Sequence, residues 1–543
     1  MEFSYKYHGS SAVKNSPRAV GISFVPDVYR EPTFFTGQLR RHIPFREAVS
    51  ALHNVVISDL RYLPKDRTDY KEWAAQQESV WLSELMADAA GMGKRMEEIR
   101  AELHGIRSQK NKILGPFHKA RSEFFRHIYK HHSNIWMVLD PVITVHPDEV
   151  FFECFSKDES SYGKLGCTYD VFKNIGEFAC GTTNIDYSEG LYNEFQKIRD
   201  YKKTDFCIDP KGFELQTAQD ESFKESKIDL PESWVRGFLQ VSSAMTLPAR
   251  QFDLHPTDLY NFCFVLRRNK EKKGPRSIRY LLKPGEPVRA VFEPWNYEII
   301  CSRSIYTGSE AEEIRVWGRR RLRILERLIP LTERFRVFLL GTGLPSFYLA
   351  DMNGINFTLG LSGWTANDWS RMGNFDLMAP RGETDGMTQQ KIWLALKQSW
   401  LADADALAAR VQMEKATVLS ALSAFVQAGR AVFDLNKGVY RVRELSRIPL
   451  PADQLRFSNE REESATRFVQ AGNVHVHCEQ LADDTQKLSG TVTEKEKVFK
   501  SELLIDPDGR MVNASCSCYF FKQNRLHKGP CEHMLALRMA QNR

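Results

Sequence analysis

The spacing of apolar positions changes several times along the chain, and each change predicts a different element. Within residues 1–70, Val20, Ile22, Phe24 and Val25 lie in a short run that ends at Pro26-Asp27 and reads as a strand, and residues 46–60 read as a helix, so this stretch is a small α/β segment. From residue 71 to 134 the pattern turns helical. Leu82, Leu85, Ala89, Met92, Met96, Ile99, Leu103 and Ile106 follow one another in steps of three and four, a heptad-like seam. Some 45 residues of helix would reach about 65 Å. Gly115-Pro116 ends that helix, and residues 117–132 make a second one. Two readings fit this arm: an intramolecular helical hairpin, or a coiled-coil arm for dimerisation or docking.

Residues 135–385 form a central α+β region. Its first part is rich in β-branched and aromatic runs, at residues 135–139, 142–145 and 150–152, bounded by Asp140-Pro141 and His146-Pro147. Residues 261–266 and 278–282 flank a basic turn, Arg267 to Lys273, and are expected to pair as a hairpin. Residues 310–342 are expected to be helical, because Arg315, Arg319, Arg323 and Arg327 recur every four positions opposite Trp317, Ile324, Leu325 and Leu328. Residues 343–385, rich in glycine and small polar side chains, read as irregular loop.

A more regular order follows over residues 388–446. A helix at 388–400 carries Ile392, Trp393 and Leu396. A second runs to Val411 with Asp403 as its cap, and a third covers 415–428 with Val418, Leu422, Phe425 and Val426 on one face, stopped by Gly429. A hairpin closes the segment, with residues 431–435 and 439–443 joined through Asn436-Lys437-Gly438. Three short helices and a two-stranded wing resemble the winged helix-turn-helix fold. The third helix offers few base-reading side chains, but the wing offers Arg430, Lys437, Arg441 and Arg443 as candidate phosphate contacts. DNA contact, protein contact and a purely structural role all stay open for this module.

The strongest chemical signal stands at the C-terminal end. Cys516-Ser517-Cys518 is followed, after twelve residues, by Cys531-Glu532-His533. Thiolates and imidazole are the usual ligands of a closed tetrahedral zinc site. The first pair can grip an ion from a strand end, and the second from the first turn of a helix that starts after Pro530. Over residues 465–543 this C-x-C…C-x-H pattern, with strands at 474–478 and 499–505, a turn at Asp506-Pro507-Asp508-Gly509 and a short apolar helix at its end, resembles the SWIM zinc finger. That module occurs in bacterial helicase-like ATPases, plant transposases and some signalling proteins. The resemblance implies zinc held by Cys516, Cys518, Cys531 and His533 in a structural site, with no position left for an activated water. His475 and His477 fall on one face of their strand and read as exposed or supporting groups, not ligands. Lys522, Arg525, His527 and Lys528 make the loop between the ligand pairs basic, so it can meet phosphate or an acidic partner.

Composition narrows the rest. A net charge of +6 on 543 residues permits nucleic acid or an acidic protein as partner and requires neither. No run approaches the ~18 apolar residues a membrane span needs. Seven scattered cysteines (Cys154, Cys167, Cys180, Cys207, Cys263, Cys301 and Cys478) read as buried small hydrophobes of a reduced, cytoplasmic protein. Gly91-Met92-Gly93-Lys94 lacks the spacing of a phosphate-binding loop, and no G-x-S-x-G or H-E-x-x-H motif occurs. The expectation is therefore an α+β multidomain protein with a long N-terminal helical arm, a β-rich central region, a winged helix and a C-terminal SWIM zinc finger. It binds zinc, has no catalytic residues, and acts as an adaptor for DNA, a protein, or both. The alternative is an accessory subunit that recruits a separately encoded ATPase or nuclease without touching DNA. An unrecognised enzyme in the central region carries least weight. Besides the wing and finger cations, Arg315, Arg319 and Arg323 are the candidate partner contacts.

Overall fold

Three runs of β-branched and aromatic residues, β4 (Val142–Val145), β5 (Glu149–Phe155) and β6 (Ser161–Thr168), form adjacent antiparallel strands in the computed structural model. The described residues are 12–15, 19–24, 33–58, 105, 141–184, 192, 195–201, 203–208, 232–270, 276–363, 368–369, 373–380, 384–445, 460–481, 484–495 and 497–541. The helical arm expected over 71–134 and the strand expected at 135–139 lie outside them, apart from Gly105.

The three strands belong to an eight-stranded antiparallel sheet. Its order is β10 (Arg250–Leu254), β15 (Arg334–Leu339), β16 (Ser346–Asp351), β17 (Ile355–Leu361), β6, β5, β4 and β8 (Gly181–Asn184). All seven residues of β5 and all seven of β17 are buried, so the middle of the sheet is covered on both faces. On one face Gly163 leaves room for Leu52 and Val55 of the His42–Val56 helix: a Cβ there would lie 3.3 and 3.0 Å from their methyl groups. On the other, Phe155 packs against Trp234 and Phe238 of the Glu232–Met245 helix, at ring separations of 5.4 and 4.8 Å. This second face also carries Glu149, Glu153 and Lys164, all buried.

Two smaller sheets flank the large one. A five-stranded sheet in the order β1 (Ala12–Asn15), β2 (Ala19–Phe24), β9 (Lys203–Ile208), β3 (Phe35–Leu39), β7 (Phe172–Lys173) contains a parallel pair, β2 with β9. A four-stranded sheet runs β13 (Tyr297–Ile305), β12 (Pro287–Phe292), β11 (Ser277–Leu282), β14 (Glu312–Trp317).

Three expectations for the central region are corrected. Residues 261–266 are not a strand but part of the Pro256–Arg268 helix, started by Pro256 at its first turn and by His255, whose ring nitrogen accepts from the Thr257 amide. Residues 310–342 are not one helix. Ile314 and Val316 pair in β14, Gly318 turns the chain at φ 82°, and residues Arg319–Leu331 wind as 3₁₀ turns before β15 begins. The four-residue spacing of arginines therefore never shares a helix face. Residues 343–385 are not wholly loop, because β16 and β17 occupy the middle of the large sheet. The glycine content that suggested loop serves close packing: a Cβ on Gly360 would stand 3.0 Å from the Phe347 ring.

The next segment has its elements where the sequence sets them. Helices Gly386–Ser399, Ala404–Val411 and Lys415–Gln427 surround a core of Ile392, Trp393, Leu396, Leu407, Val418, Leu422 and Phe425. Asp385 and Asp403 cap the first two by accepting from backbone amides. β19 (Ala431–Asp434) and β20 (Val439–Val442) form the hairpin, and β18 (Leu401–Ala402) adds a third short strand beside β20. The C-terminal part is a four-stranded antiparallel meander, β21 (Val474–Gln480), β22 (Gln486–Glu494), β23 (Lys497–Ile505) and β24 (Met511–Cys516), covered on one face by helices Glu460–Gln470 and Glu532–Gln541. Among the described residues, no helix is long and apolar enough to cross a membrane.

Candidate metal centre

The ligand groups are assembled by two pieces of chain. β24 ends at Cys516, held against β23 by the pairing of Ser501 with Cys516. Ser517 then turns the chain: its amide donates to the Lys500 carbonyl at 2.9 Å and its hydroxyl accepts from the Lys500 amide at 3.0 Å. That turn delivers Cys518 to the head of the Tyr519–Asn524 helix, where its sulfur accepts from the Phe521 amide at 3.4 Å. The Cys518 amide in turn points at the Cys516 sulfur, 3.5 Å away. Amides directed at both sulfurs favour thiolates.

The second pair arrives through a loop with two left-handed residues, Arg525 at φ 49° and Gly529 at φ 81°. Gly529 is required twice over, since a Cβ there would also lie 2.5 Å from the Asn374 carbonyl oxygen. Arg461 fastens this loop by donating to the carbonyls of Lys528 and Pro530, at 3.0 and 2.8 Å, with its guanidinium over the Phe520 ring. Cys531 and His533 then stand at the start of the last helix.

The sulfurs of Cys516, Cys518 and Cys531 and a ring nitrogen of His533 lie within 4.8 Å of one another, and all four residues are buried. The His533 ring is clasped by Phe499, 4.3 Å away, and is parallel to Phe468 at 5.7 Å. Neither of its nitrogens has a hydrogen-bond partner; Glu494 and Glu532 approach only to 3.7 and 3.6 Å. A buried imidazole with no proton partner costs about 1–3 kcal/mol unless something accepts its lone pair. The neighbouring Cys518 and Cys531 thiols hold the Cys516 thiol down at about 3, while the same crowding pushes Cys531 up. Three sulfurs so close need a cation to be charged together. Three thiolates and one imidazole in this arrangement fit a zinc ion with every position of its tetrahedron taken by protein.

The fold does not gather the other candidate contacts. Arg441 and Arg443 are wholly buried. Arg441 donates to Asp148 and Asp434 and lies 3.3 Å from Glu149, while Arg443 reaches Glu153 and the Ser242 hydroxyl. Neither is a surface contact, because the hairpin lies on the charged face of the large sheet. Lys437 pairs with Asp148 at 2.6 Å, and Arg430 lies 3.7 Å over the Trp393 ring. Arg319 is likewise buried, donating to the Ser277 and Glu293 carbonyls beneath Trp295. Arg315, on β14, pairs with Glu293 at 2.8 Å, and Arg323 is exposed on the 3₁₀ segment. Lys522 and Arg525 are exposed and Lys528 half-buried, but His527 between them is engaged with the Thr342 carbonyl at 3.1 Å.

His475 and His477 are exposed on β21, away from the ligand cluster. Residues the sequence did not single out include Phe468 and Phe499 around His533, Arg461, and Arg538. The buried Arg538 guanidinium donates to the carbonyls of Leu377, Ala379 and Gly509. An arginine inside an otherwise apolar helix, Met534 to Met539, was the available signal.

Residues 503–538 match the family model of the SWIM zinc finger, a span from the end of β23 into the last helix that includes all four ligands. A comparison with characterised proteins finds no match. Among solved structures the chain is similar to proliferating cellular nuclear antigen from Entamoeba histolytica, at 10% identity and a TM-score of 0.29, over 43% of this chain and 92% of that one. So slight a likeness bears on neither fold nor function.

Proposed function

We propose that this chain is a non-catalytic binding protein whose zinc finger presents a surface to a protein partner, and that the zinc site is structural. All four ligands come from the chain, which leaves no coordination position for an activated water. In this reading residues 386–442 are a winged helix put to internal use. The observation that carries it is the burial of Arg441 and Arg443 in ion pairs with the large sheet, which removes from the wing the cations that phosphate would need. The third helix points the same way. Residues 421–428 are buried throughout, and Lys415 at its start is paired with Asp405 and Asp508, so the helix exposes only its first turns and the one cation there is already engaged.

The partner is then a protein with its own activity, an ATPase or nuclease in keeping with the SWIM resemblance. Ten cysteines without a disulfide among them support a reducing, cytoplasmic setting. The test is affinity purification of the full chain with and without nuclease treatment, beside Cys531→Ser. A partner that survives nuclease and disappears with the zinc supports the reading. Recovery of nucleic acid whose binding falls steeply with salt, and loss of the partner on nuclease treatment, would assign DNA contact to the exposed Lys522 and Arg525.

A further inference from the structure

Among the described residues, β24 is the edge strand of the finger sheet and pairs with β23 alone. Its register with β23 slips between Leu504 and Ile505, so Val512 is an extra residue and its side chain turns out, 45% exposed. Beside it opens a cleft of about 390 Å³, within the size of ordinary ligand sites of about 300–1,000 Å³. The finger supplies one wall with Leu504, Met511 and Val512. Leu340 and Leu344, in the turn after β15, and Met378 supply the other. Asn513 is the one neutral polar side chain among the lining residues.

The charged groups of the lining, Arg250, Glu310 and Glu312, sit together. Arg250 is paired with both Glu310 and Glu312, so two carboxylates share one guanidinium and one negative charge is left over. The outer edge of β24 offers backbone groups to an incoming strand, which must displace the Asn513 side-chain oxygen from the Ala514 amide, 2.8 Å away. An adjoining apolar trough takes side chains from alternate positions of an extended peptide, and a carboxylate beside it selects a cation.

Building on the adaptor reading, we propose that this cleft binds an extended segment of the partner protein, carrying aliphatic side chains at alternate positions beside a lysine or arginine. The segment adds to the edge of β24, sets its aliphatic side chains between Val512 and Leu340, and puts its cation at Glu310. The same arrangement gives the metal a purpose in recognition, because β24 ends at ligand Cys516 and the strand edge depends on the zinc site.

The experiment pans the zinc-loaded full chain against a displayed library of random twelve-residue peptides. Enriched peptides should share two aliphatic residues two apart with a neighbouring Lys or Arg. A synthetic peptide of that consensus should lose about tenfold or more in affinity on Val512→Glu, with zinc content unchanged. Glu310→Lys should abolish the preference for a cation while leaving the aliphatic preference. Both side chains are exposed, so neither variant should disturb the fold. No enrichment, or enriched peptides indifferent to Val512→Glu, would overturn the proposal. Peptides that bind elsewhere on the finger would do so while leaving the adaptor reading intact, whereas a chain that yields only nucleic acid in the purification above removes that reading.

Discussion

Arg441 of the hairpin grips Asp148, in the turn between β4 and β5, with two parallel hydrogen bonds, Nη1 to Oδ1 at 2.7 Å and Nη2 to Oδ2 at 3.1 Å. The same guanidinium donates from Nε to Asp434 at 2.6 Å and lies 3.3 Å from the wholly buried Glu149, whose other near cation is Lys164. Planar, bidentate recognition of this kind needs arginine. Replacing Arg441 with leucine leaves buried carboxylates with too little positive charge, and such unpairing costs about 3–5 kcal/mol. Arg441→Leu should therefore lower the denaturation midpoint sharply, and Arg441→Lys should recover only part of the loss. A midpoint within experimental error of wild type would remove the hairpin from the fold's supports.

Acid should act on the same interface. His146 is buried, donates from Nε2 to the Val442 carbonyl 2.6 Å away, and faces Arg441, Asp148 and, edge-on, Trp400. Burial first, and the Arg441 charge second, lower its pKa to about 3. A histidine that stays neutral when folded binds a proton only on unfolding. Its contribution is thus whole above about pH 6.5 and drains away as pH falls toward 3. Against burial, which raises both, Asp148 is held well below the ordinary carboxylate range by Arg441 and then Lys437, and Asp434 by Lys164 and then Arg441; both act in the same direction but only below about pH 4. The two effects separate on a pH series of urea midpoints. His146→Gln should flatten the slope between pH 6.5 and 4 and leave the steeper loss below pH 4.

Metal removal should be local before it is global. Structural zinc is worth about 10–16 kcal/mol to isolated finger peptides. Here the finger also leans on the central region through His527 and Arg538. Chelation, or Cys531→Ser, should release one zinc per chain and speed amide hydrogen exchange in β24 and the loop to Gly529. β5 and β17, buried on both faces, should stay protected. Equal exchange rates in the finger with and without metal would show that the four side chains do not hold a folding ion.

The sequence carried the four metal ligands, because ligand chemistry and spacing are local and two short motifs suffice; Phe468 and Phe499, which clasp His533, come from the preceding helix and from β23 and were not legible in those motifs. It carried the helices of residues 386–427 through their caps and periodicity for the same reason. What it did not carry was set by contacts distant in the chain. Arg441 reads as a surface cation until Asp148, nearly three hundred residues away, is seen beside it. The arginines at 315, 319, 323 and 327 mimic a helix face because nothing nearby in sequence tells that residues 312–317 pair with β11 or that Gly318 adopts a left-handed turn. Gly360 reads as loop until Phe347 is seen to cover it.

Finger folding and finger docking can be told apart at Arg538. Its guanidinium, 6% exposed, donates at 3.3, 3.0 and 2.6 Å to the carbonyls of Leu377, Ala379 and Gly509, the first two outside the finger. Arg538→Ala strands three carbonyls in a water-poor seam, at about 1–3 kcal/mol for each that stays unsatisfied. The variant should keep its zinc and lose the seam, so protease should gain access to residues 377–379 while the ligand loop stays resistant. Arg538→Lys, which can reach one carbonyl but not three, should fall between. Loss of zinc in Arg538→Ala would mean instead that docking is part of what holds the metal site together.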